Sequence, residues 1–163
     1  MNTSTPALYD AVAASRLAEG LSADQVAVLA GLLTLEPVRA RQVLAREGST
    51  DNRLYVVVKG SLGIVKHVDT PDETVLATLG PGDFAHELGF LDGAVRYASL
   101  VATGGAQVLV LEREGLEGLV DSHPRVAFGV MRAIVRVVHR AQARMSMQTA
   151  ELTNYIVKQH GRY

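Results

Sequence analysis

Seven short stretches with strand character follow one another through residues 33–112, and this pattern limits the possible folds more than any other feature. They cover residues 33–39, 42–46, 53–59, 61–67, 74–79, 97–103 and 107–111 and are rich in Val, Leu and Ile. Turn chemistry separates them: Gly48-Ser49-Thr50-Asp51-Asn52, Lys59-Gly60, Asp69-Thr70-Pro71-Asp72 and Gly80-Pro81-Gly82-Asp83. Short strands at this spacing close into a sandwich or barrel rather than alternating with helices around a parallel sheet.

Helical sequence flanks the strands. Within residues 7–32, Ser22 followed by Gln25 makes a capping box, and Val26, Leu29, Leu32 and Leu33 follow at helical spacing. Residues 112–122 read as a short helix. Pro124 then stands where a first helical turn accepts proline. From 125 to 158 there is no further proline and only one glycine, Gly129, which predicts about 50 Å of continuous helix. Met131, Ile134, Val138, Ala141, Met145, Gln148, Leu152 and Tyr155 alternate at three- and four-residue steps along it. A small barrel cannot bury such a seam alone, so the expectation is a homodimer paired through residues 125–158.

The chain of 163 residues is long enough for one well-cored domain. With aromatics at 5% and no Trp, the core must come from Val, Leu, Ala and Ile. A formal net charge of −1 argues against phosphate-backbone contact as the main task. No cysteine is present, which excludes disulfides, thiolate nucleophiles and Cys-ligated zinc. The polar start, Met1 to Ala7, has no signal-peptide pattern, and no apolar run reaches membrane-spanning length. A cytoplasmic protein with no membrane association is expected.

One stretch breaks the strand rhythm. Residues 82–99 place Glu87 and Arg96 nine residues apart around two glycines and several apolar residues. Leu88 and Leu91 are expected to anchor a short helical turn there. Arg96 can fork onto phosphate oxygens and Glu87 can accept from a sugar hydroxyl. The spacing alone equally allows a surface Arg96–Glu87 ion pair worth under about 1 kcal/mol.

This stretch resembles the phosphate-binding cassette of cyclic nucleotide-binding domains, whose pattern is Phe-Gly-Glu-Leu, a short spacer, then Arg and two small residues. Gly20-Leu21-Ser22, Arg46-Glu47-Gly48, Leu54-Tyr55-Val56-Val57, Lys59-Gly60, the run from Leu76 to Phe84, and His123-Pro124 extend the resemblance to the catabolite activator protein type. It implies an α+β fold: an N-terminal helical segment (1–32), a jelly-roll β-barrel (33–122) carrying the cassette at 82–99, and a long dimerisation helix with its tail (123–163). It implies that Glu87 binds the ribose 2′-hydroxyl. Arg96 would bind the cyclic phosphate, helped by backbone N–H groups near Leu88 and Ala98. Leu62 and Ile64 would border base and sugar, and Gln142 on the long helix would face the base. Cyclic AMP is the first choice of ligand, with cyclic GMP or cyclic di-GMP as others.

The cassette departs from the pattern at His86, where the pattern has glycine, and at Tyr97, where it has a small residue. The transcription factors of this type carry a helix-turn-helix after the long helix. Here the chain stops at Tyr163, with only Lys158, His160 and Arg162 as a basic tail. The expectation is therefore a receptor without direct DNA binding, acting through a partner protein or through dimer rearrangement. Its rival is a nucleotide-independent interaction scaffold on the same fold. An enzyme is not expected. His67, His86 and Glu87 lack the histidine spacing of barrel metal sites, so no metal is expected, and Ser99 has no triad partners.

Overall fold

The computed structural model describes residues 5–160; Met1 and the Arg162 of the basic tail lie outside the described residues. In order, the elements are α1 (Thr5–Ala13), a 3-10 turn (Arg16–Ala18), α2 (Ala23–Ala30), β1 (Leu33–Val38), β2 (Val43–Ala45), β3 (Arg53–Lys59), β4 (Leu62–Lys66) and β5 (Thr74–Leu79). Then come α3 (Glu87–Asp92), β6 (Ser99–Ala102), β7 (Ala106–Glu112), α4 (Arg113–Ser122) and α5 (Pro124–His160). The seven expected strands all form. Ser22 caps α2 as predicted: its Oγ accepts from the Gln25 N–H at 3.3 Å, and Gln25 Oε1 accepts from the Ser22 N–H at 2.9 Å.

The strands make two antiparallel sheets, β1-β7-β3 and β2-β6-β4-β5. Pro37 sits on β1, an edge strand that pairs only with β7, where a missing N–H breaks no second ladder. At Gly60 the chain needs a glycine twice over. Its φ is +76°, and a Cβ there would lie 2.7 Å from the Gly105 carbonyl oxygen.

Two apolar clusters fill the molecule. One joins the N-terminal helices, α4 and the first half of α5 to one sheet, with Leu17, Leu29, Leu54, Phe90, Leu111 and Ile134 fully buried. The other lies between the sheets and includes Tyr55, Val57, Leu62, Ile64, Leu100 and Val108, with Ala85 and Ala98 from the stretch between β5 and β6. That stretch is thus stitched into the barrel interior at both ends.

The long helix forms as expected from Pro124, but not every residue of the expected seam faces outward. Ile134 is buried in the core with Val126, Ala127, Val130 and Ala133. The exposed apolar stripe is Phe128, Met131, Val135, then half-buried Val138, then Met145 and Leu152, with polar Gln142 and Thr149 completing the three- and four-residue steps. The first half of α5 is apolar on two faces. Periodicity joined an inward residue to an outward set because it cannot tell those faces apart. Among the described residues no helix is long and apolar enough to cross a membrane.

Candidate functional site

Each end of the stretch from Gly82 to Ser99 is pinned by backbone pairing. Before α3, the Gly82 N–H donates to the Val57 carbonyl at 2.8 Å and the Val57 N–H to the Asp83 carbonyl at 2.9 Å. After α3, the Arg96 N–H donates to the Ser49 carbonyl at 2.8 Å, and the Arg96 carbonyl accepts from the Gly48 N–H at 2.7 Å. Between these anchors α3 makes a turn and a half. It is closed by Gly93 in the left-handed region at φ +75°, whose N–H donates to the Gly89 carbonyl.

What holds α3 down differs from the expectation. Leu88 is 55% exposed, whereas Phe90 is fully buried in the larger apolar cluster and Leu91 packs against it. Arg113, which the sequence gave no reason to single out, secures the other end. Its Nε donates to the Phe90 carbonyl at 2.5 Å and its Nη2 reaches the carbonyls of Gly89 and Asp51 at 3.4 Å. A cation at the Gly89 and Phe90 carbonyls suits the C-terminal end of a helix.

Arg96 is the central side chain of the site and is only 3% exposed. It does not pair with Glu87. Its Nη2 donates to the Arg53 carbonyl at 2.6 Å and approaches Asp51 Oδ2 at 3.5 Å. Nε and Nη1 are buried without a partner. Burial lowers the guanidinium pKa from its ordinary value, and Asp51 and Tyr55 oppose that effect.

His86 is 7% exposed, with both ring nitrogens buried and unpartnered. Its backbone is left-handed at φ +64°, a conformation in which glycine is at ease and histidine is strained. Burial first, and the Arg96 charge second, push its pKa down to about 4, so the imidazole is neutral near pH 7. Tyr97 is 57% exposed, and its ring tilts against His86 with centroids 5.0 Å apart. The phenol therefore faces largely outward and the imidazole inward. Burial raises the Glu87 carboxyl pKa, partly offset by a hydrogen bond from its own backbone N–H.

The other predicted residues divide. Leu62 and Ile64 on β4 share the inter-sheet cluster with Ala98, next to the cassette ends. Gln142 stands apart: it is exposed on α5, grouped with Met145, Ser146 and Thr149 of the same helix. Among the described residues no group of three or more His, Cys, Asp or Glu is placed to hold a metal ion.

Chemically, the cassette carries two unpartnered nitrogens on a buried guanidinium and two on a buried imidazole, with a carboxyl group next in sequence to the latter. Leaving a buried polar group unpaired costs about 1–3 kcal/mol. A ligand that brings acceptor oxygens, an anion above all, would remove that penalty for Arg96.

A "CRP-like cAMP-activated global transcriptional regulator" of Mycobacterium tuberculosis is 27% identical over 109 residues, covering 65% of this chain and 48% of the relative. The chain spans about half the length of the curated relatives it matches. Among solved structures, the catabolite activator protein of Thermus thermophilus superposes with a TM-score of 0.67 at 26% identity, covering 83% of this chain and 63% of that one. A cyclic nucleotide-binding domain from Methylobacillus flagellatus shares the fold with a TM-score of 0.76 at 20% identity, over 86% of this chain and 81% of that one. The family profile "Cyclic nucleotide-binding domain" matches residues 35–123, which hold the whole cassette and both sheets but for the first two residues of β1, and this chain belongs to that family of regulatory binding domains.

Proposed function

We propose that the chain is a cytoplasmic sensor of a cyclic mononucleotide, cyclic AMP first, working as a homodimer that signals to a partner protein. The observation that carries this reading is the pair of unpartnered nitrogens on Arg96, buried inside the cassette. A guanidinium kept out of water with two of its three nitrogens idle is a binding group awaiting acceptors. Arg96 would take the cyclic phosphate and Glu87 the ribose hydroxyl, with Leu62 and Ile64 bordering the base.

Asp51 and the Arg53 carbonyl engage only Nη2, so they orient the guanidinium and leave Nε and Nη1 for the ligand. The rival reading, a nucleotide-independent scaffold, draws on the same engagement of Arg96 by Asp51. Thermal shift separates the two. At 100 times its dissociation constant a ligand adds about 2.7 kcal/mol of stability. A rise in Tm with cyclic AMP or cyclic GMP supports the mononucleotide sensor, a rise with cyclic di-GMP alone makes the ligand a cyclic dinucleotide instead, and no response to any of the three supports the scaffold.

For the dimer, the exposed stripe of Phe128, Met131, Val135, Met145 and Leu152 has the spacing of a two-helix seam. Gln142 falls on this stripe and is assigned here to the helix pair. Val135→Glu and Leu152→Glu, each placing a charge in the seam, should convert a dimer into monomers in sedimentation velocity while the barrel stays folded. A wild-type chain that sediments as a monomer at high micromolar concentration would remove the dimer from the proposal.

A further inference from the structure

We infer that His86 is a second anion-binding side chain of the cassette, donating a ring N–H to the nucleotide phosphate beside Arg96, so that binding takes up a proton. The inference rests on the cyclic nucleotide reading above and adds to it a residue that the cassette pattern does not contain.

Three observations support it. The imidazole is more than nine-tenths buried and neither nitrogen has a partner, so it is not a packing residue with its polarity satisfied. Arg96 is near enough for its charge to act on the ring, and its own Nε and Nη1 are equally idle. And the residue occupies a left-handed backbone position, φ +64°, that disfavours a side chain. An apolar filler would have closed the space without leaving two nitrogens idle. The two idle guanidinium nitrogens and the one N–H of the neutral imidazole all lack an acceptor, and a phosphate presents several on one group.

The protonation follows from the charges that face the ring. Arg96 repels the imidazolium, and Tyr97 stacks on it without bringing a charge near neutral pH. Glu87 follows it in the chain with a carboxyl pKa raised by burial, while Asp51 faces Arg96 and Lys66 acts on Tyr97. In the free protein this balance keeps His86 neutral, with a pKa of about 4. A bound phosphate reverses the sign of the field at the ring. One proton then passes from solvent to the free ring nitrogen, and the imidazolium N–H bonds to a phosphate oxygen. Between about pH 4 and the higher pKa of the complex, the complex holds more protons than the free protein. Affinity therefore rises as pH falls through that window, by up to about tenfold per unit. Protonation of Glu87 acts in the opposite direction at the acid end, because the neutral carboxyl loses an acceptor.

The test is calorimetric titration of the full chain with cyclic AMP and cyclic GMP from pH 5.5 to 8, in buffers of different ionisation heat. His86→Gly, which suits the backbone, and His86→Gln, which keeps a polar side chain, are measured alongside. The expected result is proton uptake by the wild type, with affinity rising toward acid pH. Both variants should bind without that proton and about tenfold more weakly at pH 6. The inference is overturned, with the sensor reading intact, if the wild type binds with no proton uptake. It is overturned in the same way if His86→Gly binds as tightly or more tightly. If neither the wild type nor either variant binds either nucleotide, both readings fall together.

Discussion

Arg96→Ala should weaken cyclic nucleotide binding by about 2–5 kcal/mol, roughly 30- to 5,000-fold, because it removes the charged partner of a buried phosphate. The Arg96 side chain reaches a point where two of its nitrogens are buried with nothing to bond. Those two are the groups a phosphate would satisfy, so the loss should fall on affinity more than on folding. Arg96→Lys should recover only part of it, since an ammonium keeps the charge but cannot bridge two oxygens in one plane. Calorimetry on both variants, with circular dichroism confirming an intact barrel, reads this directly. Equal affinity for wild type and Arg96→Ala would show that the phosphate sits elsewhere.

The second large effect concerns folding. Phe90→Ala should cost about 3–5 kcal/mol of stability, because a fully buried ring is removed from a cluster that joins α3 to the N-terminal helices and α5. For a domain of this size that is a large share of a total of about 5–15 kcal/mol. Leu88→Ala, on the neighbouring position, should change stability by less than about 1 kcal/mol because the side chain is exposed. Urea unfolding checks the pair: the midpoint should fall sharply for Phe90→Ala and stay nearly unchanged for Leu88→Ala. The reverse order would mean that the turn is anchored as its sequence first suggests.

That contrast shows what was legible beforehand. The strands could be read because each alternates or runs apolar between Gly, Pro, Asp and Asn turns, and those signals are local. The Ser22–Gln25 cap and Pro124 at the start of α5 are local in the same way. The cassette was recognisable from Glu87 and Arg96 because their spacing resembles a known pattern. Its working detail was not recognisable. Arg96 is held by Asp51 and the Arg53 carbonyl, more than forty positions earlier in the chain, and no short-range pattern encodes that pairing. Arg113 likewise acts on carbonyls of α3 from the start of α4. Within α3, a stretch this short gives two apolar residues no periodicity by which to rank them, and only the packed structure distinguishes Phe90 from Leu88. On α5 the difficulty is the reverse: too many apolar positions, so that buried Ile134 read as part of an exposed seam.

The two departures from the cassette pattern resolve differently. Tyr97 turns most of its surface outward and leaves the interior to its neighbours. His86 turns inward, and its idle nitrogens are what the proposed phosphate contact rests on.

A phosphate held at the interior face of the cassette is what everything else in this reading depends on, and a crystal structure of the chain grown with saturating cyclic AMP or cyclic GMP examines it without intermediaries. The predicted result is phosphate oxygens within hydrogen-bond reach of Arg96 Nε and Nη1, with Glu87 at the ribose. Crystals in which the guanidinium keeps its idle nitrogens, and the nucleotide is absent or bound elsewhere, would contradict it.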